Sequence, residues 1–230
     1  MFTNREEAAL KLAQKLSLRL HSVAQGRRLH DILVLGIPRG GVVTAYAVAK
    51  TLKVPLDVIV TRKIGAPNQP ELAIGAVGPE GVVILDNKLI EELGVEDKWL
   101  KKEIRAQRLE VSRRMKKFRV GLSDLKLTAK RQASLILKLK TVVLVDDGIA
   151  TGATVEAGIK YLTLRQAQGG GPKKIILAVP VAPKDTAERF RNLVDKVIVL
   201  ETPPNFYAVG QFYQDFPQVT DEEVVQLLQK

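Results

Sequence analysis

The segment VVLVDDGIATGAT, at residues 142–154, constrains the fold of this chain more than any other part of the sequence. Four apolar residues end in two adjacent carboxylates, Asp146 and Asp147, and the small residues that follow lead into a stretch with helical spacing. An apolar run bounded by small residues predicts a buried strand. Small residues also let backbone N–H groups approach an anion, and the next helix adds the positive end of its dipole. The segment therefore predicts a strand, a phosphate-binding loop and a helix in succession.

Similar apolar runs alternate with helical patterns along the rest of the chain. Strands are predicted within 31–41 and at 56–61, 82–86, 141–147, 173–182 and 196–201. Helices are predicted at 4–21, 42–52, 87–118, 155–164, 184–193 and 220–229. Capping-box patterns open the first and last of these helices, at Asn4 with Glu7 and at Thr220 with Glu223. This alternation argues for an α/β fold with a parallel central sheet and helices on both faces, which binds ligands at the carboxyl ends of its strands.

Bulk composition excludes several classes of protein. The chain has 230 residues and fits a single domain. It has no cysteine, which excludes disulfides, thiolate catalysis and zinc–thiolate sites. No apolar run approaches the roughly 18–20 residues that span a bilayer, and the charged N-terminal segment lacks the apolar stretch of a signal peptide. A cytoplasmic protein is the expectation.

The formal net charge of +11 is concentrated in one segment. Residues 87–140 contain 16 Lys or Arg and seven Asp or Glu, a net of +9, whereas the remainder has a net of +2. This segment is predicted to be a basic helical insertion, with an exposed loop of no clear period at 121–133. It forms either a solvated helical face or a surface that attracts a polyphosphate substrate or RNA.

Other phosphate-binding motifs fit the loop less well. A nucleotide-hydrolase P-loop needs a lysine after its last glycine, and none follows Gly152. The loop after the first strand, GIPRGG at 36–41, does not match the dinucleotide fingerprint GxGxxG. Two carboxylates cannot favourably face a phosphate, so they suit ribose hydroxyls or a metal ion that the ligand carries. The remaining structural alternative is that the aspartates only cap the following helix.

The segment 142–154 resembles the 5-phosphoribosyl-1-pyrophosphate loop of type I phosphoribosyltransferases. GIPRGG resembles the pyrophosphate loop of that family, and TRKIGAPNQPELAIGAV, at 61–77, sits where the family has a mobile basic loop. With AVPVAP at 178–183 and PPNFYAVGQFYQDF at 203–216, the whole arrangement is similar to a bacterial group of phosphoribosyltransferases with no assigned base. The resemblance implies the type I fold: one domain over 1–230, a C-terminal base-covering region, and the insertion at 87–140.

The resemblance also implies a role for individual residues. Asp146 and Asp147 would contact the ribose 2′ and 3′ hydroxyls, and Arg39 would bind pyrophosphate. Arg62 and Lys63 would neutralise the leaving pyrophosphate when the basic loop closes. The remaining substrate-binding positions lie in the two loops: Gly40 and Gly41 for pyrophosphate, and Gly148, Ala150, Thr151, Gly152, Ala153 and Thr154 around the 5′-phosphate. In relatives the bond before the glycine of the pyrophosphate loop is often a non-proline cis peptide.

The implied reaction displaces pyrophosphate from C1′ with a nitrogen of a nucleobase-like acceptor. Mg²⁺ prefers oxygen ligands and substrate phosphates, so it would be bound mainly through the pyrophosphate, and no protein metal site is expected. Some purine-specific members of the family have an acid just before the Thr-Gly pair of the phosphate loop. This chain has Ala150 there, so no general base is identified.

Five aromatic residues crowd into the segment 206–216, in a chain with only 5% aromatics. Phe206 and Tyr207 are candidates to stack on the acceptor base. The alternative is that the cluster closes the core beneath the last helix. Both possibilities remain open from the sequence.

Two functions fit these observations. The first is a Mg²⁺-dependent phosphoribosyltransferase of nucleotide metabolism, expected to act as a homodimer with no membrane or nucleic-acid partner. The second is a regulatory protein of the same fold that senses phosphoribosyl pyrophosphate and binds nucleic acid through residues 87–140. Arg39, the two aspartates and the Arg62–Lys63 pair favour the enzyme, whereas the concentrated charge favours the regulator.

Overall fold

A computed structural model describes residues 1–23, 31–118 and 140–230. Its central sheet has five parallel strands in the order β2–β1–β6–β7–β8. Their bounds are Leu56–Val58, Ile32–Gly36, Thr141–Val145, Lys174–Val181 and Lys196–Glu201, in that spatial order. The predicted parallel sheet is therefore confirmed, although the strand predicted at 56–61 ends at Val58.

Helices cover both faces of this sheet, as predicted. Helices α1 (Arg5–Val23) and α2 (Gly40–Leu52) pack on one face, and α5 (Ala153–Ala167) and α6 (Lys184–Arg191) pack on the other. Successive strand residues point to opposite faces. Ile32 and Val34 accordingly contact the α1–α2 side, while their neighbours Leu33 and Leu35 contact the α5–α6 side.

A second, antiparallel sheet lies beside the first and was not anticipated. It consists of β3 (Arg62–Ala66), β4 (Gln69–Val77) and β5 (Val83–Leu85). The segment 61–77, expected as a loop, is thus an ordered hairpin whose turn places Asn68 in the left-handed region at φ 62°. The strand predicted at 82–86 is the third strand of this small sheet and does not join the parallel sheet.

The helix predicted at 87–118 is broken into α3 (Asn87–Glu92) and α4 (Asp97–Phe118). Gly94 ends the first part, with a φ of +59° that most other residues adopt only at a cost. The apolar side of α4, with Leu100, Val111 and Phe118, packs against the small sheet and helix α7 (Asp221–Leu228). The loop predicted at 121–133 lies outside the described residues.

Capping bonds start both helices: the full predicted box is present at Thr220, whereas at Asn4 the Glu7 carboxylate accepts from the backbone N–H of Thr3 instead of from that of Asn4. Thr220 accepts from the Glu223 amide at 3.1 Å, and the Glu223 carboxylate accepts from the Thr220 amide at 2.6 Å. At the N-terminus Asn4 accepts from the Glu7 amide at 3.0 Å, so α1 begins at Arg5. In the described parts of the chain, no helix is both long and apolar enough to cross a membrane.

Candidate functional site

The candidate site forms where strands β1 and β6 end side by side. These strands are parallel neighbours in register, with Gly36 beside Val145. The loop 37–39 leaves β1 and the loop 146–152 leaves β6 at the same edge of the sheet. Sheet topology therefore brings together two motifs that lie more than 100 residues apart in the sequence.

Two glycines make the close contact between these loops. A Cβ on Gly40 would overlap the carboxylate of Asp147, and one on Gly41 would lie 2.5 Å from Oδ1 of Asp146. Any side chain at either position would push a carboxylate aside. The loop also contains a non-proline cis peptide, between Pro38 and Arg39, one bond before the position suggested by the family.

Asp146 is partly buried at the end of β6. Its Oδ1 accepts a hydrogen bond from the backbone N–H of Asp147 at 2.9 Å. Burial, followed by the neighbouring charge of Asp147, raises the pKa of Asp146 well above its ordinary value. This carboxyl is thus held in a place that disfavours its charge, as is common where a polar ligand is bound.

Asp147 is held on both its side chain and its backbone. Its Oδ2 accepts from Nε of Arg5 at 2.7 Å, and the two side chains are only 14% and 8% exposed. Its backbone carbonyl accepts from the hydroxyl of Tyr213 at 2.5 Å. Burial, and then the charge of Asp147, raise the pKa of Tyr213, so this hydroxyl remains a proton donor.

The loop predicted to bind phosphate ends at Gly152, which has a φ of +81° and precedes the first residue of α5. No side chain caps this helix, so the aspartates do not serve as its caps. The loop carbonyls are held from outside: Arg189 donates to Thr151 O at 2.7 Å and Thr186 donates to Ala150 O at 3.2 Å. These bonds fix the loop while leaving the start of α5 available to an anion.

Arg62 and Lys63, the two cations predicted to lie in the basic loop 61–77, are the first two residues of strand β3. Arg62 is half-buried and its Nε donates to Gln107 on α4 at 3.0 Å. Burial, and then the charge of Arg114, lower the pKa of Arg62, and the charge of Arg39 acts in the same direction. Arg62 is thus hydrogen-bonded to α4, and Lys63 is half-exposed on the next position of the strand.

A cleft of about 420 Å³ opens beside the loop 146–152, between α5 and the small sheet. Thr151 and Ala153 border it, and its charged lining is mixed, since Lys160 and Arg189 both pair with Glu156, which also lines the cleft. Its opposite wall is formed by strands β4 and β5. The volume falls in the range of small-molecule sites, roughly 300–1,000 Å³.

The C-terminal aromatic segment covers the other side of the loop. Val209 packs against Gly148, where a Cβ would lie 3.0 Å from Val209 Cγ2. The rings of Phe206 and Phe212 are 4.9 Å apart, so Phe206 is partly taken up by packing. Tyr207 is 88% exposed, and Gln211 accepts from its backbone N–H at 2.9 Å.

Sequence reasoning missed several residues that build the site. Arg5, Tyr213 and Arg189 contact the two loops from α1, from the aromatic segment and from α6. Their contacts span between 38 and 142 positions of the chain. No periodicity or spacing could identify them, although an arginine beside a helix cap and a tyrosine in an aromatic cluster were visible.

The donor set suits a magnesium ion that arrives with its ligand. Among the described residues, no three His, Cys, Asp or Glu side chains are grouped closely enough to hold a metal. Oxygen ligands from phosphates would complete the coordination of Mg²⁺, which usually binds through one or two carboxylates and substrate phosphates. The residues present are compatible with that arrangement.

Comparisons with known proteins agree on one family. The family model described as phosphoribosyl transferase domain matches residues 4–217. Rv0571c of Mycobacterium tuberculosis, named provisionally as a phosphoribosyl transferase, is 40% identical over 230 residues, which is 100% of this chain and 47% of that protein. The chain thus spans about half the length of the curated relatives it matches. The crystal structure of TT1426 from Thermus thermophilus is 37% identical, with a TM-score of 0.72 over 99% of this chain and 97% of that one.

Proposed function

This chain belongs to the phosphoribosyl transferase domain family, and from that premise we propose a Mg²⁺-dependent enzyme. It transfers the 5-phosphoribosyl group of phosphoribosyl pyrophosphate to a nitrogen of a nucleobase-like acceptor and releases pyrophosphate. The main support is the contact of Gly40 and Gly41 with the carboxylates of Asp147 and Asp146. It supports the proposal because the loop that would bind pyrophosphate lies beside the two carboxylates that would accept from the ribose hydroxyls.

Each part of the substrate has a matching part of the site. The N-terminus of α5 and the loop 148–154 bind the 5′-phosphate with backbone N–H groups and with the hydroxyls of Thr151 and Thr154. The carboxylates of Asp146 and Asp147 accept hydrogen bonds from the ribose hydroxyls. Arg39 and the N–H groups around it bind the pyrophosphate.

Transfer breaks the bond between C1′ and the pyrophosphate oxygen and forms a bond from C1′ to the acceptor nitrogen. Positive charge develops on the ribosyl group, and the electron pair of the broken bond leaves with the pyrophosphate. When bound, Mg²⁺ would neutralise part of the pyrophosphate charge. Arg39, with Arg62 and Lys63 from β3, supplies the protein's share of that neutralisation.

The proposal also covers features that the family alone does not decide. They are a single domain with 87–140 inserted in it, a cytoplasmic homodimer, a role in nucleotide metabolism, and an acceptor bound near Phe206 and Tyr207. The site described above contains no candidate general base at Ala150. A weakly basic acceptor nitrogen that attacks without proton removal is compatible with that absence.

The packing of α4 favours the enzyme over the nucleic-acid-binding regulator. Lys117 pairs with Glu222 at 2.7 Å, and Arg113 and Arg114 pair with Glu110 at 2.8 and 2.6 Å. Part of the positive charge of the segment is therefore used to hold α4 together and against α7. A structural role accounts for these cations without a nucleic-acid partner.

Calorimetry with phosphoribosyl pyrophosphate and Mg²⁺ tests the proposal directly. The wild-type protein is expected to bind this ligand, and a panel of nitrogen heterocycles should contain at least one that makes it release pyrophosphate. The control is Lys11→Gln, which removes an exposed cation on α1 that pairs with Glu7 at 2.7 Å and lies 5.5 Å from the centroid of the Phe2 ring, outside the two loops of the site. Absence of both binding and release would contradict the proposal.

We expect Tyr207→Ala to weaken the acceptor about tenfold, since stacking on an aromatic ring is worth roughly 1–3 kcal/mol per base. The acceptor used is the heterocycle with the highest rate in the panel, and binding of phosphoribosyl pyrophosphate should remain nearly unchanged. Phe206→Ala is the companion variant, and its ring already packs on Phe212. A lower melting temperature without a change in acceptor affinity would assign Phe206 to the core. Unchanged acceptor affinity in both folded variants would place the base elsewhere.

A further inference from the structure

Arg5 is a buried cation at the first position of helix α1. Only 7% of the residue is exposed. A charge in such a place must be paired and hydrogen-bonded, because its lost hydration is otherwise very costly. An arginine cannot escape this cost by losing its proton. The groups that contact Arg5 must therefore compensate for its lost hydration.

Those groups belong to the candidate site and to the C-terminal residues 206–217, which are called the cover below. Nε of Arg5 donates to Oδ2 of Asp147 at 2.7 Å, and Nη1 donates to the carbonyl of Pro217 at 2.8 Å. The guanidinium carbon lies 3.7 Å from the centroid of the Phe216 ring. Nη2 lies 3.0 Å from the place where a Cβ on Gly40 would be. One side chain thus contacts the carboxylate of Asp147 and the cover, and lies beside the loop that contains Gly40.

The chain around Arg5 is fixed to the same cover. Phe2 pairs with Tyr213 in a parallel bridge, and its backbone N–H donates to Phe212 O at 2.7 Å. Tyr213 in turn donates its hydroxyl to the backbone carbonyl of Asp147. Asp147 is therefore hydrogen-bonded from both segments. The N-terminal segment binds its side chain through Arg5, and the aromatic segment binds its backbone carbonyl through Tyr213.

These contacts restrict the Asp147 carboxylate. With Oδ2 bound to Arg5, rotation of the carboxylate would break a buried ion pair, so this pair also fixes the direction of Oδ1. The planar guanidinium of Arg5 is held by Asp147, Pro217 and the Phe216 ring. It therefore keeps the orientation of the Asp147 carboxylate better than a flexible lysine ammonium would.

We infer that Arg5 is a positioning residue, which orients Asp147 toward a ribose hydroxyl and couples that orientation to the placement of the C-terminal cover. This inference rests on the proposed function. Arg5 acts through Asp147 and does not itself touch the ribose. Its loss should therefore cost nothing more once Asp147 has been changed.

A double-mutant cycle on the full chain tests this dependence. The affinity for ribose 5-phosphate is measured by calorimetry for wild type, Arg5→Gln, Asp147→Asn and the double variant. Arg5→Gln is expected to weaken binding about tenfold, the effect of one hydrogen bond to a charged group. The double variant should bind no more weakly than Asp147→Asn alone, since contacting residues that act as a unit are not additive. Arg5→Lys, which keeps the charge but not the fork, should lie between wild type and Arg5→Gln.

Two controls separate positioning from a general loss of structure. Lys11→Gln removes a cation from the same helix and should leave the affinity unchanged. Inorganic phosphate, which needs only the loop 148–154, should bind wild type and Arg5→Gln equally. If Arg5→Gln does not fold, Arg5→Lys enters the same cycle with an expected loss of about threefold.

Multiplicative losses in the double variant, or an unchanged affinity of Arg5→Gln, would overturn the inference while leaving the proposed function intact. A wild-type protein that binds neither ribose 5-phosphate nor phosphoribosyl pyrophosphate would contradict the proposed function, and the inference would fall with it.

Discussion

The double change Asp146→Asn/Asp147→Asn is expected to weaken binding of phosphoribosyl pyrophosphate by about 100-fold or more. Each carboxylate accepts a hydrogen bond from a ribose hydroxyl in the proposed complex, and a hydrogen bond to a charged group contributes roughly 1.5–3 kcal/mol. An amide of the same shape keeps one acceptor oxygen but loses the charge. Calorimetry in the presence of Mg²⁺ measures the change. Equal affinity of the wild-type protein and the double variant would show that the two carboxylates do not bind the ribose.

The single changes are expected to shift stability in opposite directions. Burial and the charge of Asp147 raise the pKa of Asp146, so the folded protein holds a proton there more readily than the unfolded chain does. The ionised carboxylate therefore destabilises the unliganded fold above the ordinary aspartate range. Asp146→Asn should raise the melting temperature at neutral pH, by about 2–4 °C for each kcal/mol gained. The gain should shrink as the pH falls toward the usual aspartate pKa of about 3.9.

Asp147→Asn should instead lower the melting temperature. It leaves the cation of Arg5 buried without its counter-charge, with the Arg5 side chain only 8% exposed. Breaking a buried pair from one side costs roughly 3–5 kcal/mol, and the lower end applies because the amide oxygen still accepts from Nε. Thermal melting of the two unliganded variants compares these effects. Shifts of the same sign would mean that the two aspartates do not occupy different electrostatic environments.

The different surroundings of Asp146 and Asp147 explain why tandem acids are informative in a sequence. Asp146 stands where burial disfavours its charge, so its packing alone gives no reason for an acid at that position. Binding of a polar ligand does give such a reason, because strained or destabilised groups are retained at functional sites. Asp147 differs because its pairing with Arg5 gives it a structural role as well.

The central sheet could be predicted because its strands are continuous apolar runs. β1, β6, β7 and β8 are buried on both faces, so each reads as a short hydrophobic segment bounded by loop residues. The position of the site followed from the same signal, since ligands bind at the carboxyl ends of such strands. The helix starts were predicted for a different reason: both capping boxes consist of residues only three positions apart.

The small sheet could not be read in this way. The hairpin 62–77 contains Pro70, two glycines and several polar residues, a composition that favours a loop. Its strands are stabilised by pairing with each other and by packing against α4, and neither contact leaves a local pattern.

The break at Gly94 was missed for a different reason, because there the local pattern was too regular. A single glycine in a helical pattern costs only about 1 kcal/mol, so the break between α3 and α4 was not anticipated.

Gly40→Ala is expected to damage both the fold and the binding site. Gly40 is the first residue of helix α2, where alanine is intrinsically favoured by about 1 kcal/mol. The new Cβ would nevertheless overlap the carboxylate of Asp147, which cannot move away without breaking its pair with Arg5. Overpacking of this kind typically costs about 1–3 kcal/mol. The net loss, up to about 2 kcal/mol, should lower the melting temperature by up to about 8 °C.

The same substitution should also reduce the affinity for phosphoribosyl pyrophosphate at least about tenfold, because it displaces a ribose acceptor and keeps the pyrophosphate from the backbone. Gly158→Ala is the matched control within helix α5. A Cβ there would lie 3.5 Å from Cδ1 of Ile59, an ordinary contact. That variant should be as stable as wild type or more stable by about 0.5–1 kcal/mol, with unchanged affinity. If Gly40→Ala has the same melting temperature and the same affinity as this control, the carboxylate of Asp147 is not fixed against Gly40.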